Sequence, residues 1–213
     1  MVTGLDPVAA GIVDCLARPG GNITGITTIN YELSEKRMAL LKEMVPRLSR
    51  VGVLRAPSDQ NSAIALKEYE VAARIHKIQL RSIDVQLPNP DLALAFQRAA
   101  KARVGALITV TTAALLMQSE RIAKLAILNR LPSMFQGSTW VEAGGLVSYS
   151  ASDLDAYRRA ATHVHKILKG TKPADLPVEQ PMKFEFVINL KTAKLIGVNI
   201  RQSMLFRADR VIQ

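Results

Sequence analysis

The chain has 213 residues, of which 48% are hydrophobic and 22% are charged, and its formal net charge is +10. This composition excludes a disordered segment and a disulfide scaffold, and the length suits one large domain or two small ones. No apolar run approaches the roughly 20 residues that are needed to cross a bilayer.

Helical and strand patterns alternate along the chain. Apolar spacing, caps and turn residues predict each element and its ends. In chain order they are a helix at 34–45 capped by Ser34, a strand at 51–54, a helix at 64–76, a strand within 78–87, a helix from Asn89-Pro90-Asp91 to 103, a strand at 104–110, a helix at 114–129, a strand at 131–136, a strand at 146–149, a helix from Ser152 to Gly170, a strand at 183–189 and a helix from Asn189 to Gly197.

Four strand and helix units in succession predict an α/β fold, a parallel sheet with helices on both faces. In the strand candidate at 78–87 the apolar phase changes, which predicts a bulge or an early end. The helix after Ser152 has the clearest pattern, with apolar residues at spacings of three and four. They are Leu154, Tyr157, Ala161, Val164 and Leu168.

The usual enzyme and cofactor signatures are missing, so the sequence predicts no catalytic residue, no cofactor and no enzyme. His163 and His165 point about 200° apart on a helix, so they cannot bind one metal ion together. We predict that both are surface or boundary residues. Cys15 lies in an apolar run at 8–17, which favours a buried structural thiol. The basic residues are scattered and their densest groups lie near helix ends, so we predict no nucleic-acid partner.

Ligands of an open parallel sheet bind outside the carboxyl ends of the strands. Residues such as Ser58 and Thr112 are also common in turns and helix caps. A turn or cap without any ligand contact is therefore the structural alternative for each of these residues. The residues predicted to bind a ligand at these positions are Asp6, Pro7, Ser58, Asn61, Thr111, Thr112, Gln136, Trp140 and Tyr149.

Specific runs of residues resemble those of ABC transporter substrate-binding proteins, in the branch related to tryptophan and tyrosine binders. They include GLDPVAAG at 4–11, LARPGGNITG at 16–25 and KPADLPVEQP at 172–181. Shorter matches in the same order lie at 32–34, 36–37, 40–43, 131–133, 141–146, 148–149, 157–161, 166–170 and 184–193. The resemblance covers essentially the whole chain.

The resemblance implies a type I periplasmic binding protein, with two doubly wound lobes that close on a small ligand and deliver it to a membrane permease. Intact relatives begin with an export signal and most of the first lobe, so the resemblance implies that roughly the first third of the expected protein is missing from this sequence. Residues 1–27 and 138–177 would form the incomplete first lobe, and residues 28–137 and 178–213 the second. We expect the incomplete lobe to form a homodimer, because its sheet edge and apolar face are uncovered.

The function that the resemblance implies is the binding of a small polar metabolite, such as an amino acid, between the lobes. Asp6 would accept the ammonium; Ser58, Thr111 and Thr112 would hold the carboxylate; Trp140 or Tyr149 would stack on the side chain. Three alternatives stay open: a chain whose shortened cleft binds nothing, a regulatory small-molecule sensor, and an enzyme on a doubly wound fold.

Two departures separate this chain from the family pattern. Relatives often carry Asn-Pro after the strand matching 51–54, where this chain has Arg55-Ala56-Pro57. They also carry Gly-Pro after the residue matching Tyr149, where this chain has Ser150-Ala151. Both positions face the predicted cleft, so the ligand's identity does not transfer. The resemblance implies a periplasmic location, whereas a chain that truly starts at Met1 would be cytoplasmic.

Overall fold

The computed structural model describes residues 1–4, 6–8, 10–28 and 32–213. The chain forms two compact units. The smaller unit comprises Met1–Asn30 and Ser150–Phe184, and the larger unit comprises Tyr31–Tyr149 and Glu185–Gln213. The chain therefore passes between the units three times.

The larger unit contains most of the helices and strands, and they alternate as the sequence predicts. Its strands are β3 (Arg50–Arg55), β4 (Gln79–Asp84), β5 (Ala106–Thr109), β6 (Ser133–Phe135), β7 (Val147–Ala151), β8 (Phe184–Asn189) and β9 (Arg210–Ile212), with β7 and β8 running across the boundary. Its helices are α1 (Ser34–Met44), α2 (Gln60–Ile75), α3 (Leu92–Lys101), α4 (Ala113–Leu116), α5 (Ser119–Leu128), α6 (Ser138–Glu142), α8 (Leu190–Ile196) and α9 (Gln202–Arg207).

In the described part of the chain these seven strands form one sheet, in the order β4-β3-β5-β6-β7-β8-β9. The pairs among β4, β3, β5, β6 and β7 are parallel, and so is β8 with β9. The Asn189 N–H donates to Leu146 O, and the Ser152 N–H donates to Lys183 O. These two bonds join opposite ends of β7 and β8, which therefore run antiparallel.

Buried apolar residues cover both faces of this sheet. Along β5, Ala106 and Ile108 pack into one core cluster with α1 and α2, whereas Leu107 packs into a second cluster with α3 and α5. A strand that is buried on both faces needs a nearly continuous apolar run, which is the pattern that predicted β5. The α/β prediction with a parallel sheet is confirmed.

The smaller unit holds β1 (Val2–Thr3), β2 (Ile26–Thr27), α7 (Asp153–Leu168) and a 3-10 turn at Pro173–Asp175. The strands β1 and β2 pair in parallel. Segment 171–181 packs on them: Ile26 forms a bridge with Glu179, and the Thr24 hydroxyl donates to Leu176 O at 2.6 Å.

The compact units begin and end at other residues than the predicted lobes. The boundary predicted near Gly137 lies inside the larger unit, because β6 pairs with β7 and keeps residues 138–149 on the seven-stranded sheet. The predicted division at 1–27 with 138–177, and 28–137 with 178–213, stays a proposal about lobes.

Several predicted element ends are corrected by the structure. Ser34 begins α1 rather than capping it, and its side chain is buried. Asp91 caps α3 in place of Asn89, since its Oδ1 accepts from the Leu94 N–H at 3.0 Å. The helix predicted at 114–129 is broken into α4 and α5 around Met117.

The prediction for Cys15 is wrong. The thiol is exposed, and it lies in a loop where Sγ accepts from the Arg18 N–H at 3.3 Å. His163 is 4% exposed, so the prediction of a surface or boundary residue is wrong for it, whereas His165 is exposed as predicted. The caps at Ser152 and Asn189 are confirmed, as is the left-handed Gly197 that ends α8.

Candidate functional site

The carboxyl ends of β3, β5, β6 and β7 meet at one edge of the larger unit's sheet, because these strands are parallel neighbours. This edge is where an open α/β sheet binds its ligand. The predicted residues on these strands or after them are Tyr149, which lies within β7, and Ser58, Asn61, Thr111, Thr112, Gln136 and Trp140, which follow β3, β5 and β6.

Gln136 connects the end of β6 to its surroundings through both atoms of its carboxamide. Its Oε1 accepts from the Thr111 N–H at 3.0 Å, and its Nε2 donates to the Tyr69 hydroxyl oxygen at 3.3 Å. Because a backbone N–H can only donate, the bond to Thr111 fixes which side of the amide carries the oxygen. Gln136 therefore holds the loop after β5 against α2.

Arg37 places a buried positive charge beside this edge. Its side chain is fully buried, Nε donates to Tyr149 O at 2.7 Å, and Nη1 donates to the Tyr69 hydroxyl oxygen at 3.4 Å. The Tyr69 oxygen thus accepts from both Arg37 and Gln136. A hydrogen-bonded network consequently runs from α1 through α2 to the ends of β5, β6 and β7.

Arg37 and Tyr69 are the residues of this network that the sequence reasoning missed. The signal was present, since Arg37 lies four residues before Leu41 and Tyr69 lies four after Ala65, on the faces that α1 and α2 bury. Spacing of this kind places a residue on the core side of a helix. It does not reveal which polar groups of other elements that residue meets.

Trp140 lies in the first turns of α6 and is 1% exposed. Its Nε1–H donates to Thr111 Oγ1 at 3.2 Å, and its ring stacks on Phe135 with centroids 4.9 Å apart and planes 13° apart. Thr111 is therefore held by Gln136 through its backbone and by Trp140 through its hydroxyl. The role of Trp140 in stacking on a ligand stays a prediction.

The loop after β3 and the first turn of α2 present Ser58 and Asn61. Asp59 caps α2, with Oδ1 accepting from the Ser62 N–H at 3.0 Å, while Ser58 is exposed and Asn61 is half-buried. Thr112 is buried and caps α4, because its Oγ1 accepts from the Leu115 N–H at 3.2 Å. The Thr112 hydroxyl thus serves as a helix cap, as the structural alternative to ligand binding predicts. Ser58 faces solvent.

Asp6 and Pro7 follow β1 in the smaller unit. The Asp6 Oδ1 accepts from the Val8 N–H at 2.9 Å, which forms a local turn, and Pro7 is buried. Asp6 is an exposed residue. The prediction that these two residues contact a ligand is untested.

Tyr149 is the titratable group of this edge whose environment changes its proton affinity. Burial raises the pKa of the Tyr149 phenol above its ordinary value of 10.0, the Arg37 charge opposes this, and Asp209 adds to it. The ring packs edge-on against Phe186, with centroids 6.3 Å apart. The phenol is therefore neutral at physiological pH and able to donate a hydrogen bond.

We expect the Tyr149 phenol to ionise at a higher pH than an exposed tyrosine. The ultraviolet absorbance of phenolate is followed as pH rises, and the difference between wild type and Tyr149→Phe reports the Tyr149 phenol alone. The control variant is Tyr157→Phe, which removes a tyrosine that is 65% exposed. Because the folded state binds the proton more tightly, the phenol's contribution to stability is present below pH 10.0 and is lost as pH rises through the raised pKa. A Tyr149 phenol that ionises at or below the ordinary pKa of 10.0 would contradict this.

A shallow groove of about 360 Å³ lies elsewhere on the larger unit, lined by Ala39, Lys42, Glu43, Pro46, His76 and Arg201. His76 is the C-cap of α2, and a helix of 16 residues is about 24 Å long, so the groove is at the far end of α2 from Ser58 and Asn61. It is not part of the candidate site.

Within residues 1–4, 6–8, 10–28 and 32–213, no group of three His, Cys, Asp or Glu side chains is arranged to hold a metal ion. Among the helices of the same residues, none has the length and apolar character that a membrane span requires.

Comparisons with known proteins show the family of this chain. A family model described as ABC transporter substrate-binding protein matches residues 1–212. A protein of Clostridioides difficile (strain R20291), named tyrosine-binding protein, is 26% identical over 201 residues, which are 93% of this chain and 56% of that protein. The chain thus spans little more than half the length of this curated relative.

Solved structures give the same result. The ABC domain from Streptococcus pneumoniae in complex with L-Trp is 26% identical, with a TM-score of 0.86 over 99% of this chain and 73% of that one. A conserved domain protein from Vibrio cholerae is also 26% identical, with a TM-score of 0.87 over 97% of this chain and 68% of that one. These proteins share the type I periplasmic binding protein fold, and the family is one of binding proteins rather than enzymes. With its model matching nearly every residue, this chain belongs to the family of ABC transporter substrate-binding proteins.

Proposed function

We propose that this chain is the solute-binding component of an ABC-type importer, and that it binds an amino acid with an aromatic side chain without catalysis. It would act in the periplasm and deliver the solute to a membrane permease. The family match over residues 1–212 supports the binding role. The similar proteins named for tyrosine and solved with L-Trp support the ligand class.

The observation that carries this proposal is the hydrogen-bonded network at the carboxyl edge of the larger sheet. Gln136 and Trp140 fix Thr111 from two sides, and Arg37, which also donates to the Tyr69 hydroxyl, donates to Tyr149 O in β7. A binding site gains affinity when its polar groups are positioned before the ligand arrives. The hydrogen bonds of this network hold the polar groups of the edge in position in the same manner.

Two parts of an amino acid, its carboxylate and its side chain, have a suitable partner at this edge. The exposed Ser58 and the half-buried Asn61 lie at the N-terminus of the 16-residue α2, where backbone N–H groups and the helix dipole favour a carboxylate. Tyr149 is half-buried and its ring offers an aromatic partner for the solute side chain. For the ammonium group we propose Asp6, an exposed residue of the smaller unit, as the acceptor.

Thermal unfolding against a panel of amino acids tests this proposal. L-Trp or L-Tyr at a hundred times its dissociation constant adds about 2.7 kcal/mol, which for about 200 residues raises Tm by roughly 5 to 10 °C. Glycine and L-Glu serve as solutes without an aromatic group. No shift with any member of the panel would contradict the proposal.

Matched variants locate the binding. We expect the double variant Ser58→Ala and Asn61→Ala to lose most of the shift. The control is the double variant Ser49→Ala and Asn129→Ala. Ser49 directly precedes β3, and Asn129 is the C-cap of α5, so both lie away from the carboxyl ends of the strands. A shift that survives in the first double variant would place the ligand elsewhere.

A further inference from the structure

The last residue of β3 is an arginine that the neighbouring strand holds in place. Arg55 pairs in register with Asp84, the last residue of β4, and its side chain is 14% exposed. Its Nε donates to Ser82 Oγ and lies as close to Asp84 Oδ1, both at 2.9 Å, and its Nη2 donates to Asp84 Oδ2 at 3.3 Å. The Ser82 hydroxyl in turn donates to Asp84 Oδ1. The guanidinium is therefore fixed at the carboxyl edge of the sheet, where an open α/β sheet binds its ligand.

Asp84 uses only one side of this guanidinium. An arginine carries five N–H groups in a rigid planar fork, one on Nε and two on each Nη. The Nε–H and one N–H of Nη2, which form the side of the fork, are directed at Asp84 and Ser82. Among the residues that the structure describes, no acceptor bonds to Nη1 of Arg55. The end of the fork, with one N–H from each Nη, is left for another acceptor.

The guanidinium lies on the face of the sheet that α2 covers. Side chains alternate between the two faces of a strand, and Val51 and Val53 pack into the core cluster that contains α1 and α2. Arg55, two residues further along β3, is on the same face. On β4, Leu80 packs against the same cluster, which places Asp84 on this face as well.

A single turn separates Arg55 from the start of α2. The Asp59 N–H donates to Ala56 O at 3.1 Å, which closes this turn. Arg55 is three residues before Ser58 and six before Asn61, the two residues proposed to hold the carboxylate of a solute. Three residues span at most about 11 Å even when the chain is fully extended, and the turn shortens this span. One carboxylate is therefore within reach of the arginine and of the start of α2.

We infer that Arg55 binds the carboxylate of the solute end-on, and that it selects aromatic solutes that carry a carboxylate. Hydrogen bonds between arginine and a carboxylate are about twice as strong as those between neutral groups, and the two parallel bonds of the fork fix the orientation of the solute. Because Asp84 holds the fork before the solute arrives, less side-chain entropy is lost on binding. The inference rests on the proposed function, whose amino acid supplies the carboxylate, and it adds a charged partner to Ser58 and Asn61.

Isothermal titration calorimetry with two matched solutes tests the inference. L-Trp carries the carboxylate, whereas L-tryptophanamide keeps the ring and the ammonium group and has a neutral amide in its place. Arg55→Gln is expected to raise the Kd for L-Trp at least about tenfold, because hydrogen bonds to a charged group are lost. The Kd for L-tryptophanamide changes by less than about twofold, since it lacks the group that couples to Arg55.

Two further variants separate a direct contact from a general effect of charge. Arg50→Gln removes the half-buried arginine that begins β3, at the amino end of the same strand, and it leaves the Kd for L-Trp unchanged. Arg55→Lys keeps the charge but loses the fork, so it recovers only part of the affinity. An Arg55→Lys variant that binds L-Trp as tightly as the wild type overturns the end-on contact.

The outcomes distinguish this inference from the function on which it rests. If the wild type binds neither L-Trp nor L-Tyr, the proposed function fails and the inference fails with it. If the wild type binds L-Trp and Arg55→Gln binds it equally well, only the role of Arg55 is overturned. Circular dichroism checks that Arg55→Gln is folded, which is expected because Asp84 is 41% exposed and its carboxylate stays hydrated without the arginine.

Discussion

Replacing Trp140 with Ala is expected to lower the free energy of unfolding of the larger unit by about 3 to 5 kcal/mol, the usual cost of truncating a buried aromatic ring. The side chain is 1% exposed and stacks on Phe135, so its removal leaves a cavity between α6 and β6. For a chain of about 200 residues this corresponds to a decrease in Tm of roughly 6 to 20 °C. Urea unfolding followed by circular dichroism measures it.

The control for this prediction is Trp140→Phe. It keeps an aromatic ring against Phe135 but removes the Nε1–H that donates to Thr111 Oγ1. We expect it to cost about 1 kcal/mol, the net value of one hydrogen bond. If Trp140→Ala costs no more than Trp140→Phe, the packing of this ring does not stabilise the larger unit.

Replacing Arg37 with Ala is expected to lower the free energy of unfolding by at least about 3 kcal/mol. The substitution removes the donors to Tyr149 O and the Tyr69 hydroxyl, and it leaves a cavity where a fully buried side chain was. Each charged hydrogen bond contributes about 1.5 to 3 kcal/mol, and the cavity adds a further cost. Differential scanning calorimetry measures the change.

Two further variants separate the causes. Arg47→Ala removes an exposed arginine just beyond α1, and it should change stability by less than about 0.5 kcal/mol. Arg37→Met refills much of the volume without the charge, so it should recover part of the loss, because buried charges gain little over apolar groups of similar size. Equal stability of Arg37→Ala and Arg47→Ala would refute the importance of this network.

Local chemistry explains which elements were predictable. Ser152 accepts from the Asp155 N–H and Asn189 from the Thr192 N–H, each within three residues. Gly197 ends α8 in the left-handed conformation that glycine adopts freely. Groups this close in the chain meet in almost any fold, so their types and spacing were sufficient.

Short final elements were missed because their stability is not local. The strand β9 has three residues, and it forms because it pairs with β8 along Val187–Asn189. The preceding α9 has six residues, of which Met204 is buried. Neither has enough turns or apolar residues to give a periodic signal.

The network around Gln136 shows a second limit. Gln136, Thr111, Trp140 and Tyr149 were predicted individually from their positions after strands, but the sequence does not contain the contacts between them. The bond from Arg37 to Tyr149 joins residues 112 positions apart, and that from Gln136 to Tyr69 joins residues 67 apart. Which side chains meet at such separations depends on strand order.

The sequence by itself determined the alternation of strands and helices, the parallel sheet and the family, because hydrophobic period, caps and family motifs are local properties of the chain. Only the tertiary structure decided that Arg37 and Tyr69 lie beside the strand ends, that Cys15 is exposed and that the apolar residues Leu154, Tyr157, Val164 and Leu168 of α7 are exposed. An apolar stripe identifies a face that gains by burial, but whether anything covers that face depends on the elements packed around it.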